Sequence, residues 1–204
     1  VLEKEEQRLG RNKETQINKS YIDSSDYRRK FDTISDNPAL NRLIYDLAKR
    51  MLIHRTGTHR EDMFWLDVGK CQIVAEETDA AIDGRIEYSR KTISTIRKYK
   101  KDQYSFLLTV HTHPSSFPPS IDDFNTNYTN EYFAGLVICH NGAVYFYSAG
   151  EYINPQYYEI KVADYFSRGY NECEAQILAL ENMKSYFDID FEEVCVDDNG
   201  KRYI

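Results

Sequence analysis

An uninterrupted apolar run, SFLLTV at residues 105–110, is followed at once by His111, Thr112, His113 and Pro114. A short run of this kind with β-branched members and polar flanks predicts a strand buried on both faces. Successive strand side chains alternate faces, so His111 and His113 project on the same side and can converge on one ion. Pro114 has no N–H to extend the ladder, which releases the strand at the second histidine. Three of the five prolines, Pro114, Pro118 and Pro119, fall within residues 114–119 and restrict the path back to Ser120. Ser120 is placed to cap a helix, which puts Asp123 in the first turn, close to free N–H groups and the positive end of the dipole. Two imidazoles and a carboxylate make three ligands. A tetrahedral Zn2+ held by them keeps its fourth position for water, as catalytic rather than structural zinc does, and that water can ionise near neutral pH.

His-x-His-Pro, a short loop and Pro-Ser-x-x-Asp together resemble the signature of the JAMM, or MPN-plus, metallopeptidases and their bacterial JAB and RadC-like relatives. The matching residues are His111, His113, Pro114, Pro119, Ser120 and Asp123. The resemblance implies a JAB/MPN-like, cytidine-deaminase-like core over about residues 38–150. It also implies a zinc-dependent hydrolase of amide or isopeptide bonds, including those of ubiquitin-like conjugates. In that family a glutamate after the first long helix is the general acid and base, and Glu61 holds that place. The motif serine supports the oxyanion, a role that falls to Ser120. The loop from His113 to Ser120 is one residue shorter than the family's usual spacing, so Asp122 replaces Asp123 if the helix starts one residue later. MFWLDVG lacks the glycine that often follows the family glutamate, which leaves Glu76 and Glu77 as alternatives to Glu61.

Elsewhere, Asn37 and Pro38 open a helix whose apolar residues Leu40, Leu43, Ile44, Leu47, Met51 and Leu52 recur at helical spacing, ending near 54–57. MFWLDV and CQIVAE read as adjacent strands, and residues 88–101 as a helix with a basic face, a pattern usually no more than a solvated surface. A helix from Ser120 to about Tyr128, a hairpin turning at Asn141-Gly142, helices over 156–167 and 171–187, and a last Asn-Gly hairpin over 191–204 follow. The class is therefore α/β or α+β, a mixed sheet flanked by helices. Residues 1–36 read as a polar arm or linker and 37–204 as the metallopeptidase domain.

The net charge of −7 hides an asymmetry: residues 1–60 carry 13 Lys and Arg against 9 Asp and Glu, whereas residues 61–204 carry 13 against 24. No Lys or Arg lies between Lys101 and Lys161, which argues against a phosphate-gripping site, so no nucleic-acid partner is expected and the RadC-like possibility is the weakest. A peptide or protein conjugate with small or basic residues suits such a site. Cys71, Cys139, Cys173 and Cys195 form no CxxC pair and read as free core thiols of a reducing, cytoplasmic compartment. No apolar stretch reaches the roughly 18 residues of a membrane span. Opening on Val1, the chain is expected to be part of a longer protein, with the arm tethering it to an assembly.

Other metal chemistries lack their residues. Zinc deaminases need His-x-Glu with Pro-Cys-x-x-Cys, HExxH is absent, and amidohydrolase barrels need a longer chain and further ligands. His54, His59 and His140 have no neighbour at ligand spacing and are expected at the surface or in turns. The tyrosines alternating in VYFY fit strand packing, or a groove for an extended peptide. The alternative to an enzyme is a metal-binding but inactive MPN-type interaction module, which would keep the ligands and lack a base beside them.

Overall fold

The computed structural model describes residues 15–101, 106–196 and 202–204. Two short helices, α1 (Lys19–Ile22) and α2 (Ser25–Asp32), lead into α3 (Pro38–Arg55). The Asn37 side chain accepts from the Ala39 and Leu40 amides at 3.0 and 3.4 Å, and Pro38 takes the first turn, as the sequence predicts. Strands β1 (Met63–Asp67) and β2 (Gln72–Glu77) follow, then α4 (Arg90–Tyr99), β3 (Leu107–His113), α5 (Ile121–Thr129), β4 (Ala134–Cys139), β5 (Val144–Ala149), α6 (Pro155–Ser167), α7 (Glu172–Met183) and β6 (Ile189–Glu193).

The strands form one six-stranded mixed sheet in the order β2-β1-β3-β4-β5-β6. Its one parallel pair, β3 with β4, needs a crossover, and α5 supplies it. Gly142 at φ +91° makes the β4–β5 turn, a conformation that costs glycine nothing.

Alternation divides the sheet into two unlike faces. On one, Phe64, Leu66, Leu108, Val110, Leu136, Ile138 and Val144 meet α1, α2 and α3 in a continuous apolar core. Each such side chain, fully buried, contributes about 1.5–3 kcal/mol. On the other face the cover is split. Helices α5 and α7 pack over β4, β5 and β6 around Phe124, Val137, Tyr145 and Phe191, while α4 and Tyr132 pack over Met63, Trp65 and Leu107. Between these two blocks the face of β3 is open, and the histidines stand there.

Several expectations change. From Thr15 onward the segment read as a polar arm is part of the fold: Ile22, Tyr27, Phe31 and Ile34 are buried against α3. Their apolar spacing is broken by the Ser24 cap between α1 and α2, which hides the helical period. Residues 1–14 lie outside the described residues, as do Asn199 and Gly200 of the expected last hairpin. Among the described residues β6 pairs only with β5, and the Tyr203 and Ile204 amides donate to the Ile34 carbonyl instead. Of the four free thiols only Cys139 is buried; Cys71 and Cys173 are partly covered and Cys195 is exposed. His140 stands in the β4–β5 turn, as expected, but it is 1% exposed rather than at the surface, its Nδ1 2.6 Å from the Thr15 carbonyl oxygen. Among the described residues no helix is long and apolar enough to cross a membrane.

Candidate metal centre

His111 and His113 lie at the C-terminal end of β3 with their Nε2 atoms 3.2 Å apart. Asp123 comes to meet them from α5, Oδ1 3.2 Å from His111 Nε2 and Oδ2 3.5 Å from His113 Nε2. These three side chains form a group of ligand atoms able to hold a metal ion. Asp122 lines the same cleft but is not part of the group, because Ser120 rather than Ile121 is the cap and Asp123 is therefore the inward residue of the first turn.

The local chemistry fixes two of the three ligands. Ser120 Oγ donates to Asp123 Oδ2 at 2.7 Å, the Ser120 amide donates to the same oxygen at 2.7 Å, and the Asp123 amide returns a bond to Ser120 Oγ at 3.3 Å. This is a capping box. The two readings of Ser-x-x-Asp, structural and ligating, are thus both realised, since the box holds one carboxylate oxygen and leaves the other facing His111. His113 Nδ1 lies 3.0 Å from the Phe117 carbonyl oxygen. A carbonyl only accepts, so Nδ1 carries the hydrogen and the neutral ring presents a lone pair at Nε2, the tautomer a ligand needs. His111 Nδ1 is buried with no such partner.

Glu61 shares the site. Met63 pairs with His111 across β1 and β3, and the Thr112 amide donates to the Asp62 carbonyl at 3.1 Å, so the register runs on and puts Glu61 across from His113. The neighbouring Asp62 is locked: its carboxylate is 2.5 Å from Arg55 Nε and 2.8 Å from His54 Nδ1, and its amide donates to Thr112 Oγ1 at 3.0 Å. Burial pushes the Glu61 carboxyl above its ordinary range, against the pull of His113 and His111. Burial disfavours a charged His113, but the Asp123 hydrogen bond and charge, Glu61 and the Phe117 carbonyl outweigh it and push the ring up to about 9. Asp123 feels the same burial, and the two histidines hold it well below the usual carboxylate range.

The alternative glutamates are elsewhere. Glu76 pairs with Phe64 on the opposite face and sits 3.4 Å from Arg50 Nη2. Glu77 is on the histidine face but two strands away, accepting the Ser89 amide at 2.7 Å at the start of α4.

The open stretch of sheet forms a cleft of about 990 Å³. Its other walls were not legible as site residues: Tyr88 from the β2–α4 loop, Tyr132, Tyr147 from β5, and Glu172 with Gln176 from α7. Arg85 also lines it, so the cleft is not free of cations as the gap from Lys101 to Lys161 suggests. Tyr147 reaches the floor because β4 carries Gly135 opposite it, where a methyl group would overlap the phenol ring. That glycine and the VYFY alternation are the only sequence signals for this contact. Comparison with protein-family models, curated proteins and solved structures finds no match to this chain, so the functional reading rests on the site geometry together with the motif resemblance.

Proposed function

We propose that the chain is a JAMM-type zinc hydrolase that cleaves an amide or isopeptide bond in a peptide or protein conjugate. The observation that carries the reading is the set of donor separations. Zn–N distances of 2.0–2.1 Å at tetrahedral angles bring neighbouring donors about 3.3–3.4 Å apart; the two Nε2 atoms are 3.2 Å apart, and Asp123 approaches them through different oxygens, Oδ1 at 3.2 Å from His111 and Oδ2 at 3.5 Å from His113. Imidazole nitrogens with one carboxylate suit zinc better than calcium or magnesium, which prefer oxygen.

A dication held there supplies a Lewis acid that polarises a carbonyl and lowers the pKa of a water molecule. Glu61, across from His113, is the residue that accepts the proton of the attacking water and returns it to the leaving amine, and a carboxyl raised by burial suits both steps. Arg55 and Thr112 fix the backbone beside it through Asp62. Ser120, whose hydroxyl already donates to Asp123, orients the ligand in this reading; oxyanion support from it requires opening the capping box. Glu61, Asp122, Asp123 and Glu172 face the cleft against Arg85, so neutral or basic substrate residues fit beside the scissile bond. The inactive-module alternative draws no support from a glutamate in the ligand cleft.

The test is zinc content and hydrolysis of peptide and conjugate libraries, with and without a chelator. About one zinc per chain and activity lost on chelation, in His113→Ala and in Glu61→Gln are expected. Cleavage that survives both chelation and Glu61→Gln rules the mechanism out; zinc uptake without any cleavage favours the inactive module.

A further inference from the structure

The cleft has a second recognition element on its rim. Helix α4 begins at Ser89, next to the cleft residue Tyr88, and at its other end Lys100 Nζ donates to the carbonyl of Asn130, another cleft residue. The helix therefore runs along one wall. Its inner side is apolar, with Ile96 and Thr92 buried over Trp65, Leu107 and Tyr132. Its outer side is a stripe of cations, Arg90, Arg97, Lys98 and Lys101, around a shallow groove of about 510 Å³. At 1.5 Å per residue the stripe is roughly 17 Å long and one helix wide.

Two features set this stripe apart from an ordinary wet face. Among the described residues none of these four cations makes an ion pair, although carboxylates outnumber Lys and Arg 33 to 26 in the chain. The first turn itself holds no acid, and Glu77 from β2, which accepts the Ser89 amide at 2.7 Å, is the carboxylate that meets that end of the helix, about two turns away from Arg97, Lys98 and Lys101. Further, the charge is opposite to that of the cleft behind it, which carries Glu61, Asp122, Asp123 and Glu172.

We propose that the outer face of α4 docks an acidic polypeptide segment of the substrate, while the neutral or basic residues around the scissile bond enter the cleft. An extended segment is one chain wide, as the stripe is. A lipid surface would require apolar side chains among the exposed cations, and α4 turns Ile96 inward and leaves Ile93 half-covered. A single strand of nucleic acid is held by aromatic side chains on which its bases stack, and among the described residues lining the stripe there is none. The docking rests on the hydrolase reading only for its purpose, since the binding itself needs no metal.

The experiment measures fluorescence anisotropy of a labelled oligoglutamate peptide with the whole chain at low and physiological salt. Wild type is compared with the triple variant Arg97→Glu, Lys98→Glu, Lys101→Glu, its Gln counterpart, and His113→Ala. All three triple-variant positions are exposed, and circular dichroism together with metal uptake checks that the fold is kept. Expected are salt-sensitive binding by wild type, affinity roughly tenfold or more weaker in the Glu variant, an intermediate loss in the Gln variant, and unchanged binding in His113→Ala. His113→Ala separates the two readings, since its loss of metal leaves docking intact. Equal affinity of wild type and the Glu variant overturns the proposal. So does tighter binding of duplex DNA or of phosphatidylserine vesicles than of oligoglutamate.

Discussion

The two faces of β3 are built from alternate residues of one segment, yet they obey different rules. Leu108 and Val110 point into an apolar core closed by α3, whereas Thr109, His111 and His113 point into the open cleft. The first face is held by burial, which is non-directional and summed over many atoms. The second is held by a few directed contacts among ionisable groups, each of which costs free energy if its partner is removed. A single strand can therefore carry stability and chemistry without either constraining the other, provided a one-residue slip in register never occurs.

Substitutions on each face separate the two roles. The largest effect is expected for Asp123→Ala, or for His111→Ala, which should reduce metal uptake to background by equilibrium dialysis while the far-ultraviolet circular dichroism stays that of the wild type. On the other face, Phe64→Ala should lower unfolding free energy by about 3–5 kcal/mol in urea titration and leave the metal stoichiometry of the folded fraction at one. Loss of metal binding in folded Phe64→Ala would show that the faces are coupled after all.

pH gives a finer division. In the metal-free protein the raised His113 stabilises the fold fully below its unfolded value near 6.5, and that contribution fades as pH rises through about 9. Asp123, held low, acts in the opposite sense: it stabilises above the unfolded carboxylate value, and that contribution is lost only as pH falls through its lowered folded value. A bound cation takes the place of the His113 proton. The gap in melting temperature between loaded and free protein should thus widen from pH 6.5 to 9, by the equivalent of about 3 kcal/mol. A gap that narrows over this interval would contradict the protonation assigned to the pair. The smallest effect is that of Ser120→Ala, expected to cost about 1 kcal/mol of stability through the lost cap and about tenfold in metal affinity through the freed Asp123.

Much of this division can be read from the chain. An apolar run ending in His-x-His-Pro specifies a buried strand with one functional end, and Ser120 with Asp123 specifies a cap; both follow from periodicity and backbone chemistry at short range. Residues 15–36 read as a polar arm because Ile22, Tyr27, Phe31 and Ile34 are spread over two short helices and the turn after them, so that no window shows a sustained stripe. The walls of the cleft are harder still. Tyr88, Tyr147 and Glu172 come together only through the order of the strands, and nothing local in their segments announces it. His140 looked unengaged because its partner is a backbone oxygen at Thr15, a group that no side-chain pattern reveals.

The Phe117 carbonyl oxygen receives both His113 Nδ1 and, at 3.3 Å, the Cys139 thiol. Replacing a side chain cannot delete a main-chain acceptor, so the aim of this imidazole is encoded in the course of residues 114–119, which Pro114, Pro118, Pro119 and the Ser115 hydroxyl that accepts the Phe117 amide at 3.2 Å help to set. Such a loop tolerates changes of spelling at Ser116 and Phe117 better than at Ser115, and the insertion or removal of one residue would swing the acceptor away and leave the ring free to turn.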